Sequence, residues 1–294
     1  MTDYDLTGRS ALVTGASQGL GLKIAQKFAA AGCDLFLCSR NSDRLNQAAL
    51  EIVKVRRHPN QKVLFKTTDV SDPYDVEELA SDVLKAFEHL TIFVSNAGIY
   101  GPMGRLEDIN LKAFRSSLEI NLMGPVLLAR ALLPHFRRQG YGKIIQISGG
   151  GATNPMPRIE SYAASKAAVV RLMESIALDL IEDRVDVNSV APGLLDTRLL
   201  GEVLKAGPHA VGQDFYDRMR ASRDQGRCTD LDIGAQLCLF LASSASDGIT
   251  GRLISAVWDD YKSWPDHLEE LKKSDAYTIR RVTGRDRGTN WGDK

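Results

Sequence analysis

The sequence predicts an α/β fold: a single doubly wound parallel sheet of about seven strands, with helices on both faces. Three observations predict it. Short apolar runs of strand length alternate with longer stretches of helical periodicity along most of the chain. Those runs are largely apolar, as strands covered on both faces are. A glycine-rich turn joins the first run to the first helical stretch. The chain has 294 residues and is 44% hydrophobic, which is enough apolar material for a core of that size.

The elements follow in order. Residues 10–14 read as the first strand. Residues 19–31 read as a helix, because Leu22, Ala25, Phe28 and Ala29 recur on one face, and Gly32 ends it. Residues 34–38 form a second strand, and 42–55 a helix capped by Asn41 or Ser42. Residues 63–67 form a third strand, followed by a helix over 73–87 with Pro73 in its first turn. Residues 92–94 form a fourth. The long stretch 111–138 is helical, and Gly124-Pro125 marks where it would divide. Strands at 143–147, 185–190 and 252–255 alternate with helices at 162–180 and 233–241.

Two segments fall outside this rhythm. Residues 194–227 form a long insertion with scattered glycines and Pro208, placed after a strand where loops are commonly functional or mobile. Residues 259–294 are polar and charged but carry Tyr261, Trp264, Tyr277 and Trp291. Aromatics are costly to leave in water, so an ordered extension is expected, with a short helix near 268–273.

Bulk composition excludes little but directs the search. Lys plus Arg equals Asp plus Glu at 37 each, so net charge favours neither nucleic acid nor an anionic membrane surface. The four cysteines lack C-x-x-C or metal-site spacing, which suits reduced thiols, no metal, and a cytoplasmic protein. The first ten residues lack the regions of a signal peptide, and no uncharged apolar run reaches 18 residues, so no membrane span is expected.

The segment Thr14-Gly-Ala-Ser-Gln-Gly-Leu-Gly21 sits between first strand and first helix. Gly15, Gly19 and Gly21 allow a tight turn and close approach to a ligand. The helix then offers free N–H groups and its positive dipole end to a pyrophosphate. Ser17, Gln18 and Leu20 lie within the same loop. A purely structural turn is the competing explanation.

Here the sequence resembles the short-chain dehydrogenase/reductase family. The glycine spacing is T-G-x-x-x-G-x-G, and four further motifs follow in order. They are Asp69-Val70, Asn96-Ala97-Gly98, Tyr162-Ala-Ala-Ser-Lys166, and Pro192-Gly193 with Thr197. The resemblance covers roughly residues 5–258 and implies a Rossmann-like domain over 1–258 that binds a nicotinamide dinucleotide. It implies adenine contact at Asp69 and Val70, and cofactor contact at Asn96, Ala97 and Gly98. It further implies contact with the nicotinamide amide from Pro192, Gly193 and Thr197. Asn121 matches an asparagine that helps hold a relay water. Lys166 would also bind the nicotinamide ribose. Family members usually form dimers or tetramers through the helices at 111–138 and 162–180.

Cofactor choice is legible after the second strand, where an acidic residue would accept the ribose 2′-hydroxyl of NAD. Ser39-Arg40 stands there instead. A guanidinium pairs with a 2′-phosphate, so NADP(H) is favoured over NAD(H), unless Arg40 is a solvated loop residue.

Tyr162 and Lys166, four apart on a helix, share a face. A nearby ammonium lowers a phenol's pKa, so Tyr162 is expected to exchange a proton with a carbonyl or alcohol oxygen. The implied reaction is hydride transfer between the nicotinamide and a CH–OH/C=O group. The family serine thirteen residues before the tyrosine is missing, because position 149 is glycine. Three alternatives stand. Ser148 swings in because Gly149-Gly-Gly151 alters the loop path, or Thr153 or backbone N–H groups replace it, or the protein binds cofactor with weak or no turnover. A nucleotide-sugar-modifying relative is a further alternative, although its G-x-x-G-x-x-G loop differs. Pocket walls are expected from 149–158, 99–105 and 194–227. Arg158, Arg198, Arg218, Arg220 and Arg223 are candidates to meet an anionic small-molecule substrate.

Overall fold

Seven strands form the sheet of the computed structural model, which describes residues 4–289. They are β1 (Ser10–Thr14), β2 (Asp34–Ser39), β3 (Val63–Thr67), β4 (Ile92–Ser95), β5 (Gly142–Ile147), β6 (Val185–Ala191) and β7 (Leu253–Ser255). Their order is β3-β2-β1-β4-β5-β6-β7, and every pairing is parallel. Chain order reverses between β1 and β4, so a crevice opens there at the carboxyl ends of the strands. The sheet is the Rossmann-like architecture that the sequence implies.

The helices are α1 (Gly19–Ala30), α2 (Ser42–Val55), α3 (Pro73–Ala86), α4 (Leu111–Leu118), α5 (Gly124–Gln139), α6 (Glu160–Asp179), α7 (Arg198–Val211), α8 (Gln213–Asp224), α9 (Leu231–Ala242) and α10 (Leu268–Lys272). Alternation along the strands divides the core into two layers. Ala11, Val13, Leu35, Leu37, Ile145 and Ile147 pack with α1, α2 and α9. Leu12, Phe36, Phe93, Ile144 and Val187 pack with α3, α5 and α6. Fully buried side chains such as Phe28 and Phe93 contribute about 1.5–3 kcal/mol each. Side-chain caps set the helix starts: Asn41 accepts from the Arg44 N–H at 2.8 Å, and Asp72 accepts from Tyr74 at 2.8 Å, with Pro73 next in chain.

The long helical stretch widens before its Gly-Pro pair rather than dividing at it. Residues Glu119–Met123 form a π-helical turn within a continuous helix, and Pro125, just beyond it, has no N–H to give to the turn before it. The stretch Leu111–Gln139 has the length and hydropathy of a membrane span, yet Ile120, Leu128, Leu132 and Phe136 are buried in the core.

Both atypical segments are ordered. Residues 194–227 contain α7 and α8, and Gly207, at φ +78, kinks α7 just before Pro208. Beyond residue 258 the chain packs on the outer edge of the sheet. Tyr261 and Trp264 are buried, Tyr261 against Phe240 and Trp264 against Tyr277. The Tyr277 carbonyl accepts the Leu253 N–H at 2.7 Å, covering the exposed edge of β7. The Arg252 guanidinium donates to the carbonyls of Leu271, Ser274 and Ala276. Trp291 lies outside the described residues.

Candidate active site

A cleft of about 1940 Å³ runs along the carboxyl ends of the strands. Its cofactor half begins at the glycine loop. Gly15 and Gly19 have φ +63 and +57, a region open to glycine without strain. A Cβ at Gly15 would lie 2.9 Å from Asn96 Nδ2. Ser17, Gln18 and Leu20 line the cleft with them. Gly21 stands behind the loop: a Cβ there would meet Asn96 Nδ2 at 2.4 Å and the Gly15 carbonyl at 2.5 Å. Its role is close packing rather than ligand contact. Asn96 ties the loop down, its amide donating to the carbonyls of Thr14 at 3.0 Å and Gly15 at 3.2 Å. Thr14 Oγ1 in turn accepts the N–H groups of Asn96 and Ala97.

Ser39, Arg40, Asp69, Val70 and Gly98 line the same half. Asp69 caps its own turn, accepting from the N–H and hydroxyl of Ser71. Arg40 is exposed at the end of β2. Arg44, on the first turn of α2, also lines the cleft and donates to Gln18 Oε1 at 3.0 Å. Sequence reasoning missed this second cation, because only the packing of α2 beside the glycine loop brings it there. Pro192, Gly193 and Thr197 close the far side, and Gly193 is confined by Thr229, whose Oγ1 a Cβ would meet at 2.4 Å. These residues fit a dinucleotide: a glycine-rich loop at a helix start, flanked by two guanidiniums.

Tyr162 and Lys166 lie on α6 and both line the cleft. Lys166 Nζ donates to the Ile147 carbonyl at 2.8 Å and sits 5.7 Å from the Tyr162 ring centre. The sequence leads one to expect a phenol made more acidic. Burial works the other way: it pushes the Tyr162 phenol well above its ordinary value, with the Tyr100 phenol acting in the same direction. Burial also pulls the Lys166 ammonium down to about 8.

Asn121 lies in the π turn and does not line the cleft. Its amide donates to the Ile99 carbonyl at 2.8 Å and accepts the Ile99 N–H at 2.9 Å. It also donates to Ser165 Oγ at 3.0 Å. The widened turn aims this side chain across to the loop after β4, fixing Gly98 and Ile99 beside Lys166.

The residue facing the phenol is Gly149. A Cβ there would fall 2.3 Å from Tyr162 Oη. Ser148, one residue earlier, also lines the cleft, and its Oγ is buried with no hydrogen-bond partner among the described residues. Thr153 lines the cleft, its hydroxyl accepting from Asn154 Nδ2 at 3.0 Å.

The substrate half is apolar. Ile159, Tyr162, Leu200, Val203, Val211 and Met219 form a third buried cluster, joining α6 to the α7–α8 insertion. Tyr100 meets the Tyr162 ring edge-on at 4.6 Å. Among the described residues, no group of three or more His, Cys, Asp or Glu could hold a metal.

The profile of the short chain dehydrogenase family matches residues 9–207. The chain belongs to that family. A short chain dehydrogenase of Monascus purpureus is 31% identical over 94% of this chain and 89% of its own length. The L-sorbose reductase of Gluconobacter frateurii, solved with NADPH and L-sorbose, superposes with a TM-score of 0.76. It is 28% identical, covering 86% of this chain and 96% of that one. An NAD⁺-bound xylitol dehydrogenase gives a TM-score of 0.75 at 25% identity, over 85% and 98%. This short-chain dehydrogenase is therefore an NAD(P)-dependent oxidoreductase, moving hydride between the nicotinamide and a small-molecule substrate.

The glycine at 149 is built into this member. Introducing serine brings a hydroxyl but displaces the phenol, which Tyr100 restrains. Gly149→Ser is expected to lower kcat by about 10²-fold, the usual cost of misplacing a reacting group by an ångström. Steady-state turnover of the two proteins checks it; a faster variant would show that the pocket accepts the hydroxyl.

Proposed function

We propose that this enzyme reduces a ketone on a largely apolar molecule with NADPH, Tyr162 donating the proton. The observation that carries this reading is the buried Tyr162 hydroxyl in the wall of the cleft that begins at the glycine loop, where burial favours the neutral phenol. The bound cofactor supplies the hydride. Tyr162 supplies the proton to the carbonyl oxygen, and burial keeps it in the donating form at neutral pH. Lys166, when charged, favours the phenolate that remains. Asn121 ties the loop after β4 to Ser165 on the helix that carries both. The α7–α8 wall lends the reacting groups an apolar side. Turnover of a panel of apolar ketones with NADPH tests this reading, and absence of any reduction would overturn it.

The preference for NADPH rests on Arg40 and Arg44, together with the lack of an acidic residue at the end of β2. Charge-assisted hydrogen bonds contribute about 1.5–3 kcal/mol each. Replacing both arginines by alanine is therefore expected to raise KM for NADPH by about 10²–10⁴-fold and leave that for NADH within a few fold. An unchanged NADPH/NADH ratio would remove the preference. Four free thiols, three of them buried, support a reducing compartment such as the cytoplasm. The exposed Leu111, Leu178 and Ile181 on helical surfaces or ends support a homo-oligomer.

A further inference from the structure

Arg158, Arg198, Arg218, Arg220 and Arg223 belong to the segments around the substrate half of the cleft, and their ion pairs separate them. Arg198 pairs with Glu202, Arg223 with Asp196 at 3.2 Å, and Arg220 with Asp224 at 3.5 Å. Arg158 and Arg218 have no carboxylate partner among the described residues, and both line the cleft.

Arg158 is half-buried and fixed from several sides. Its backbone has φ +66, which a non-glycine residue keeps only where its surroundings enforce it. Its N–H donates to Glu160 Oε1 at 2.8 Å, and its carbonyl accepts the Gly104 N–H at 3.0 Å. Nη1 donates to the His209 carbonyl at 2.5 Å, setting the guanidinium against the α7–α8 junction. Arg218, on α8, carries its guanidinium 5.5 Å from the Phe215 ring centre. The same wall is apolar at Met156, Leu200, Val211 and Met219. It bears a single carboxylate without an ion pair among the described residues, Asp214, so two uncompensated cations stand against one anion.

We infer that the substrate is an apolar carbonyl compound carrying an anionic group, which Arg218 binds with Arg158 beside it. The inference rests on the carbonyl-reducing reading of this cleft but concerns a different part of it. A neutral ketone of the same shape leaves Arg158 with the His209 carbonyl alone and the exposed Arg218 with water. A charge-assisted hydrogen bond supplies the discrimination.

Calorimetry on the full chain, with and without saturating NADP⁺, tests it without requiring turnover. The probes are 4-phenylbutanoate, its amide, and 3-phenylpropylphosphonate. Either anion is expected to bind at least about tenfold more tightly than the amide. The preference is expected to fall towards unity in Arg218→Gln, and to persist in Arg220→Gln, whose guanidinium is paired outside the cleft. Thermal melts of both variants check folding. Equal binding of acid, phosphonate and amide by the unmodified protein overturns the inference. So does a preference that survives both Arg218→Gln and Arg158→Gln. Reduction of 4-oxo-4-phenylbutanoate and its amide by NADPH or NADH separates the two readings. Anion preference with neither ketone reduced ends the reductase proposal and leaves the anion site standing. Reduction of both ketones at equal kcat/KM does the opposite.

Discussion

Tyr162→Phe is expected to lower kcat for ketone reduction by about 10²–10⁴-fold, while cofactor affinity stays within a few fold. The substitution removes one oxygen and leaves the ring, so its edge contact with Tyr100 and its place in the buried cluster survive. Position 149 has no side chain and Asn121 is committed to Ile99 and Ser165, so the hydroxyls of Ser148 and Thr153 are the cleft groups that could blunt the loss. A loss confined to kcat, with the KM for NADPH preserved, marks a group acting in the reaction rather than in binding. Stopped-flow oxidation of NADPH in the presence of ketone reads the step directly. A variant retaining a tenth of the rate would mean that another proton donor reaches the carbonyl.

Much of this arrangement was legible in the sequence, for identifiable reasons. Apolar runs located the strands, because the inner strands are covered on both faces and tolerate little else, while the edge strand β3 carries its run half exposed. Local chemistry located the starts of α2 and α3, through the cap Asn41 and through Pro73 in the first turn. What escaped was set by contacts between distant segments. Gly124-Pro125 is a strong local signal for a break, yet the helix widens at Glu119–Met123, where Asn121 bonds a loop more than twenty residues away. Arg44 reads as an ordinary residue on an exposed helix until α2 is laid beside Gln18. The spacing of Tyr162 and Lys166 predicted that they share a face, but the sign of the phenol's shift depended on enclosure by Tyr100, Ile159 and the α7 residues. The aromatics of the extension signalled order. That they would cover the edge of β7 required Arg252 to gather three carbonyls from beyond residue 270.

Lys166→Met is expected to make the protein more stable and the enzyme at least about 10²-fold slower. Lys166 is buried, its ammonium donates to the Ile147 carbonyl, and no carboxylate pairs with it among the described residues. Burial lowers its pKa from 10.5 to about 8. The unfolded chain therefore holds a proton that the folded chain releases between those values. The destabilisation is full below pH 8, shrinks as pH rises from 8 towards 10.5, and is absent above. A shift of that size corresponds to about 3 kcal/mol near neutrality. Methionine fills the space without the charge and leaves the Ile147 carbonyl unpartnered, at a cost of about 1–3 kcal/mol. The net gain is then small but positive at pH 7, a Tm higher by a few degrees that narrows to nothing or reverses by pH 10. The activity moves the other way, because the ammonium stabilises the phenolate that Tyr162 becomes on giving up its proton. The unmodified enzyme is thus expected to lose reductase rate as pH rises through about 8, while the variant's low rate stays flat. Thermal melts and initial rates from pH 6 to 10 test both halves together. A variant less stable at pH 7 and equally so at pH 10 would mean that the ammonium is held by partners strong enough to offset its burial.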